Sequence, residues 1–104
     1  IVSAVCHGPI GLCSITLSDG TPLVKDKTVA GFTDEEEAIL QLNDCYPSYP
    51  QGNSCETCLK GLGGNHVKVD AWGAKSVIDQ RVISGQNPAS ASGVGELIVE
   101  ALKA

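Results

Sequence analysis

Methionine is absent from this chain of 104 residues, and the first residue is Ile1. A polypeptide begun at its own start codon carries Met, so the expectation is a processed product, one chain of a cleaved protein, or a partial sequence whose N-terminal segment is missing. Basic residues are also scarce: seven Lys and Arg against twelve Asp and Glu leave a net charge of −5. That balance excludes the electrostatic attraction on which nucleic-acid and anionic-membrane binders rely. No apolar run is long enough to cross a bilayer, and no charged leader precedes an apolar core and a cleavage site. A soluble protein of the cytoplasm, with no nucleic-acid or membrane partner, is expected. No complete set of His, Cys, Asp and Glu has credible metal-ligand spacing, so no metal site is expected. There is no internal repeat, low-complexity stretch or linker, and the length suits one small domain.

Five cysteines, at positions 6, 13, 45, 55 and 58, are an odd number without tight spacing. This argues against a secreted disulfide framework and for reduced thiols. Cys55-Glu-Thr-Cys58 matches redox and zinc spacing, but no second pair accompanies it, and two cysteines on one helical face is the preferred reading.

The most informative stretch is Ile1-Val-Ser-Ala-Val-Cys6-His7-Gly8-Pro9. Small and β-branched residues predict a short strand buried on both faces, ending at a cysteine just before a Gly-Pro that opens a helix. Such a sharp strand-to-helix turn lifts one side chain out of the sheet. The following helix N-terminus favours an anion, which predicts a Cys6 thiol that ionises more readily than free cysteine. The plain alternative is a buried cysteine acting as a small hydrophobe. Its position and the adjacent His7 favour the nucleophile.

Further along, Ile10, Cys13, Ser14 and Leu17 recur at helical spacing after Pro9, and Ser18-Asp19-Gly20 suits the helix end. Thr28-Val29-Ala30-Gly31 predicts a strand. Thr33-Asp34-Glu35-Glu36 is a capping box opening a helix whose apolar side carries Ala38, Ile39 and Leu42. The acids from Asp34 to Glu37 are for the most part expected to be solvated. One of the four could point inward to a histidine, and spacing does not select which. Residues 43–53 predict a loop whose Tyr46 and Tyr49 are candidates for a pocket mouth. Ser54 is the expected N-cap of a helix running to Leu62, stopped by Gly63-Gly64. His66 to Val69 alternates like a strand, with His66 expected to be exposed. Ser76-Val77-Ile78 and Arg81-Val82-Ile83 predict a hairpin across Asp79-Gln80, where glutamine fits a tight primed turn poorly. After the polar approach Gly85 to Ser90, Val94, Leu97, Ile98, Ala101 and Leu102 give the clearest amphipathic helix, expected to cover one face of the sheet.

Ala4-Val-Cys-His-Gly-Pro9, Val29-Ala-Gly-Phe-Thr-Asp-Glu-Glu-Glu37 and Ile83-Ser-Gly-Gln-Asn-Pro-Ala-Ser90 together resemble the C-terminal half of the ThiJ/PfpI superfamily. The branch is that of the glutathione-independent glyoxalases, also called glyoxalase III or D-lactate dehydratase. The resemblance implies a flavodoxin-like α/β fold, a three-layer sandwich with a parallel sheet, of which residues 1–104 form the C-terminal part of one domain. It implies Cys6 as nucleophile, His7 as its neighbouring base and Glu37 as the third member of a triad. It also implies a small 2-oxoaldehyde substrate, no cofactor, and a homodimer. A stress-response holdase chaperone and a cysteine hydrolase with the same triad are the alternatives. Part of the family pattern has no counterpart here, namely an N-terminal half with several strands, a glycine near the oxyanion and a glutamate touching the cysteine.

Overall fold

In the computed structural model, residues 1–40 and 54–103 are described. The expectations for Leu42, Cys45, Tyr46 and Tyr49 lie outside those residues. Strand β1 (Val2–Val5) pairs in parallel with β5 (Val82–Gly85), Val5 standing opposite Gly85. β4 (Ser76–Asp79) joins the other edge of β5 antiparallel, giving the order β1-β5-β4. A separate parallel pair is formed by β2 (Thr28–Val29) and β3 (Asn65–His66). The helices are α1 (Asp34–Leu40), α2 (Cys55–Gly61) and α3 (Ala91–Lys103). The chain is therefore mixed α/β, with the expected parallel pairings and one reversed strand. No helix among the described residues is long and apolar enough to cross a membrane.

The β4–β5 hairpin follows the predicted pattern with a shift of one residue. Asp79 pairs with Val82, so Gln80 and Arg81 form the connection. Gln80 adopts φ +56°, in the region that glycine occupies without steric cost. α3 lies across β5 and β4 as its periodicity predicts, but unevenly: Val94 is buried, while Leu102 is 69% exposed.

Four expectations are corrected. The segment after Cys6 is a short 3-10 helix, Gly8–Ser14, rather than a longer α-helix, and an extended bridge from Thr16 to Pro22 replaces its last turn. β1 is not buried on both faces, because among the described residues it is an edge strand, with Val2 and Ser3 exposed. The strands predicted to begin at Thr28 and near His66 each last two residues, and His66 is half-buried, its Nε2–H donating to Gly31 O at 3.2 Å. α1 turns its acids inward and its aliphatics outward: Glu36 and Glu37 are buried, whereas Ala38 and Ile39 are exposed. Carboxylates can occupy an interior when enough donors meet them, and the donors here are identified below.

The core gathers Leu12, Val24, Val29, Phe32, Cys55, Leu59 and Val82. Gly31 admits this packing, since a β-carbon there would stand 2.6 Å from the Cys55 sulfur. Cys55 and Cys58 share the buried side of α2 as expected. Burial pushes the Cys55 thiol up to about 12, and it raises that of Cys13, which also sits against Cys58.

Helices α1 and α2 are tied together at their N-termini. Ser54, the N-cap of α2, accepts from Thr57 N–H and donates to the Asp34 carboxylate, which also accepts from Thr57 Oγ1. In return, Glu56 on α2 accepts from Asp34 N–H at 2.9 Å. The Glu56 carboxylate is buried and takes two ammonium groups, Lys60 at 2.6 Å and Lys68 at 3.0 Å.

Two measurements check this account. Gln80→Gly should stabilise the protein by roughly 0.5–1 kcal/mol, because relief of a left-handed residue exceeds the added chain entropy of glycine; the urea midpoint should rise with an unchanged slope. For Glu56, burial acts to raise the carboxyl, but Lys60, Asp34 N–H and Lys68 outweigh it and bring it to about 2 from 4.5. Its contribution is therefore complete above pH 4.5 and lost as pH falls from there towards 2. In Glu56→Gln, the stability-versus-pH curve should be flatter across that acid window.

Candidate active site

Cys6 closes β1 at the point where the chain turns into the 3-10 helix. Its φ is +67°, a left-handed conformation rare for a residue with a β-carbon. Two main-chain hydrogen bonds hold it there: Cys6 N–H donates to Gly85 O at 3.1 Å, and Phe32 N–H donates to Cys6 O at 2.8 Å. The elbow is thus tied to the end of β5 on one side and to the approach to α1 on the other. The predicted strand-to-helix turn is present, with the cysteine at its corner.

His7 is the next residue, and its ring spans the gap between two groups. Nε2 lies 2.7 Å from Glu37 Oε1, and Nδ1 lies 3.8 Å from Cys6 Sγ. A carboxylate can only accept, so Nε2 carries the proton and Nδ1 turns its lone pair towards the thiol. The Phe32 ring stacks on the imidazole at a centroid distance of 4.0 Å and a tilt of 40°. Cys6, His7 and Glu37, named from sequence, are brought together, and Glu37 is the member of its run that reaches the histidine. Its other oxygen, Oε2, is buried without a hydrogen-bond partner among the described residues.

Glu36, expected only to close the capping box, does more. The box is present: Glu36 Oε1 accepts from Thr33 N–H at 3.1 Å and from Thr33 Oγ1 at 2.9 Å, and Thr33 Oγ1 lies 3.1 Å from Glu36 N. The second oxygen, Oε2, accepts from Trp72 N–H at 2.9 Å and from Asn87 Nδ2 at 2.7 Å. Burial acts to raise this carboxyl, but the donors Asn87, Trp72 and Thr33 prevail and hold it below its usual range. Glu36 was missed as a site-forming residue because capping explained it sufficiently. The available signal was Asn87, a polar side chain in an otherwise unassigned motif.

The expected ease of ionisation of Cys6 is overturned. Burial raises its thiol, the main-chain N–H of His7 pulls the other way, and the nearby Glu36 and Glu37 carboxylates raise it further. The helix behind it is a single short 3-10 segment, so its dipole is small. The facing Nδ1, 3.8 Å away, is the group placed to take the proton of this thiol. Among the described residues, no group of three or more His, Cys, Asp and Glu could hold a metal ion. A surface cavity of about 680 Å³ opens along Ile1, Val2, Leu23 and Val82, at the start of β1, and includes none of the three site residues.

Comparison with known proteins adds relatives along the whole chain. No family model matches it. It is 34% identical over 105 residues to the glutathione-independent glyoxalase HSP31 of Saccharomyces cerevisiae, covering 99% of this chain and 44% of that one. A solved structure of glyoxalase III from Candida albicans superposes with a TM-score of 0.84 at 32% identity, over 97% of this chain and 43% of that one. Rapid Encystment Protein 24 KDa of Francisella tularensis gives 0.89 at 30% identity, over 98% and 43%. The chain spans less than half the length of these relatives. Its homologues among curated proteins are glutathione-independent glyoxalases.

The raised thiol has a direct check. Alkylation of Cys6 by iodoacetamide, followed by peptide mapping against pH, should show a midpoint above that of a free thiol such as glutathione, and Cys6 should label before the buried Cys55 and Cys58. A midpoint below the free thiol would show that the elbow, not the two carboxylates, governs the sulfur.

Proposed function

We propose that this chain is the C-terminal part of a single ThiJ/PfpI-type domain, a flavodoxin-like sandwich, that converts methylglyoxal and related 2-oxoaldehydes to D-lactate-type 2-hydroxy acids without a cofactor. The single observation that supports this most is the position of His7, 2.7 Å from a buried carboxylate and facing the Cys6 sulfur at 3.8 Å. The homology to glutathione-independent glyoxalases supports the substrate class.

In this reading, the Cys6 sulfur adds to the aldehyde carbon of methylglyoxal as its proton passes to His7 Nδ1 and on to the former carbonyl oxygen, giving a neutral hemithioacetal and freeing Nδ1 again. Histidine then takes the proton from that carbon and returns it to the neighbouring ketone carbon through an enediol, so the aldehyde carbon is oxidised and the ketone carbon reduced within one molecule. The product is a lactoyl thioester. Water attacks it, the sulfur leaves with a proton, and lactate and free Cys6 are restored. Glu37 keeps the proton on Nε2, fixing which nitrogen is the base, and stabilises the imidazolium each time Nδ1 is loaded. The thiol needs no standing charge in this scheme, which suits a sulfur whose ionisation burial, and then the Glu36 and Glu37 carboxylates, oppose.

The test is turnover of methylglyoxal by the full-length protein. Cys6→Ala should abolish it, and His7→Ala should lower it by on the order of a hundred- to ten-thousand-fold. Glu37→Gln should reduce kcat with little change in melting temperature, while the exposed Glu35→Gln should be nearly silent. Full activity in Glu37→Gln would remove the third member of the triad. A model ester turned over faster than methylglyoxal would replace this reading with that of a cysteine hydrolase.

A further inference from the structure

The motif Gln86-Asn87-Pro88-Ala89-Ser90 has no part in the chemistry above, yet Gln86, Asn87 and Ser90 are completely buried. Each of the three grips the segment between β3 and β4. The Gln86 side chain pairs with the main chain of Val69 through both its oxygen and its nitrogen, at 3.0 and 3.1 Å. Asn87 Nδ2 donates to Gly73 O at 2.8 Å and to Glu36 Oε2, and Ser90 Oγ accepts from Lys75 N–H at 2.9 Å while donating to Asn87 Oδ1. The residue at the centre of this grip is Trp72, whose φ of +67° is one that tryptophan does not adopt unless forced. Its N–H donates to the Glu36 carboxylate. Its ring meets the Phe32 ring edge-on, at 5.8 Å and 62°, and Phe32 in turn stacks on His7.

We propose that Trp72 is a positioning residue of the Cys6–His7–Glu37 site: the Glu36–Asn87 pair locks its main chain, and its ring, acting through Phe32, fixes the plane of the His7 imidazole. The geometry has two features that incidental packing does not require. A large aromatic residue stands where glycine would be unstrained, so its side chain has a use that offsets the backbone cost. The same carboxylate that locks Trp72 also closes the capping box of α1, one residue before Glu37. Glu36 therefore braces the histidine from both sides, through the helix that carries its carboxylate partner and through the stack that holds its face.

Deleting the ring while keeping the backbone is the test, in the full-length protein. Trp72→Gly and Trp72→Asn both tolerate positive φ, so either folded variant serves, and Trp72→Phe restores an aromatic edge. The readout is the His7 Nε2 proton resonance, protected from solvent by its bond to Glu37. It should be sharp in the parent, broadened in the two ring-deleted variants and recovered in Trp72→Phe, with melting temperatures of the deletions unchanged or higher. Turnover of methylglyoxal, which rests on the function proposed above, should show kcat about tenfold lower with KM within about twofold. A resonance absent from the parent, or unchanged on losing the ring, overturns the proposal whatever kcat does. A parent with the resonance but no turnover would leave the positioning role standing and remove the glyoxalase reading instead.

Discussion

A buried carboxylate with four donors is the constraint on which this structure depends. Glu36 collects a threonine hydroxyl, two main-chain N–H groups and an asparagine amide, and those donors come from three places distant in the chain. A charge fully withdrawn from water is unfavourable unless its oxygens are saturated. Saturation here requires α1, the Trp72 segment and the end of β5 to be in register at once. Losing any single donor would leave the charge partly unmet, so the three elements are held as a unit. Cys6, just past the end of β1, is tied to the same unit by Phe32 N–H and Gly85 O.

That arrangement has an electrostatic consequence for the sulfur. Burial, and then the Glu36 and Glu37 carboxylates, oppose the ionisation of Cys6, and a short 3-10 turn does not compensate. A proton leaving this sulfur meets an acceptor 3.8 Å away, at His7 Nδ1. The histidine is suited to that because its far nitrogen is fixed by Glu37, so the nearer one acts as acceptor. Stacking on Phe32 restricts the ring to one plane, a second restraint on the same group.

The local signals in the sequence were followed closely by the structure. The Thr33–Glu36 box, the Ser54 cap and the hairpin around Gln80 depend on contacts within a few residues, and all are present; the corner at Cys6 is present too, but Gly85 and Phe32, distant in the chain, hold it. Cys6, His7 and Glu37 could be named because motif resemblance selected one acid from a run in which spacing could not. What was illegible is non-local. Burial of Glu36 on the side where Ala38 and Ile39 were expected needs donors from Asn87 and Trp72, and that of Glu37 has His7, and a periodicity of apolar residues contains nothing about them. The ionisation of Cys6 failed for the same reason, since helix type and opposing carboxylates both come from tertiary arrangement. The composition of β1 predicts cover on both faces, whereas Val2 and Ser3 are exposed, because cover depends on neighbours that no short stretch encodes.

The reciprocal capping of α1 and α2 bears on how the chain can vary. Asp34 and Ser54 meet although 20 positions separate them, and the contact is made by side chains and main chain at the helix starts themselves. Because each helix start supplies the other with a hydrogen-bond partner, a substitution at Asp34 or Ser54 would leave groups unmet at both N-termini at once. The two positions are therefore expected to change together across relatives rather than singly.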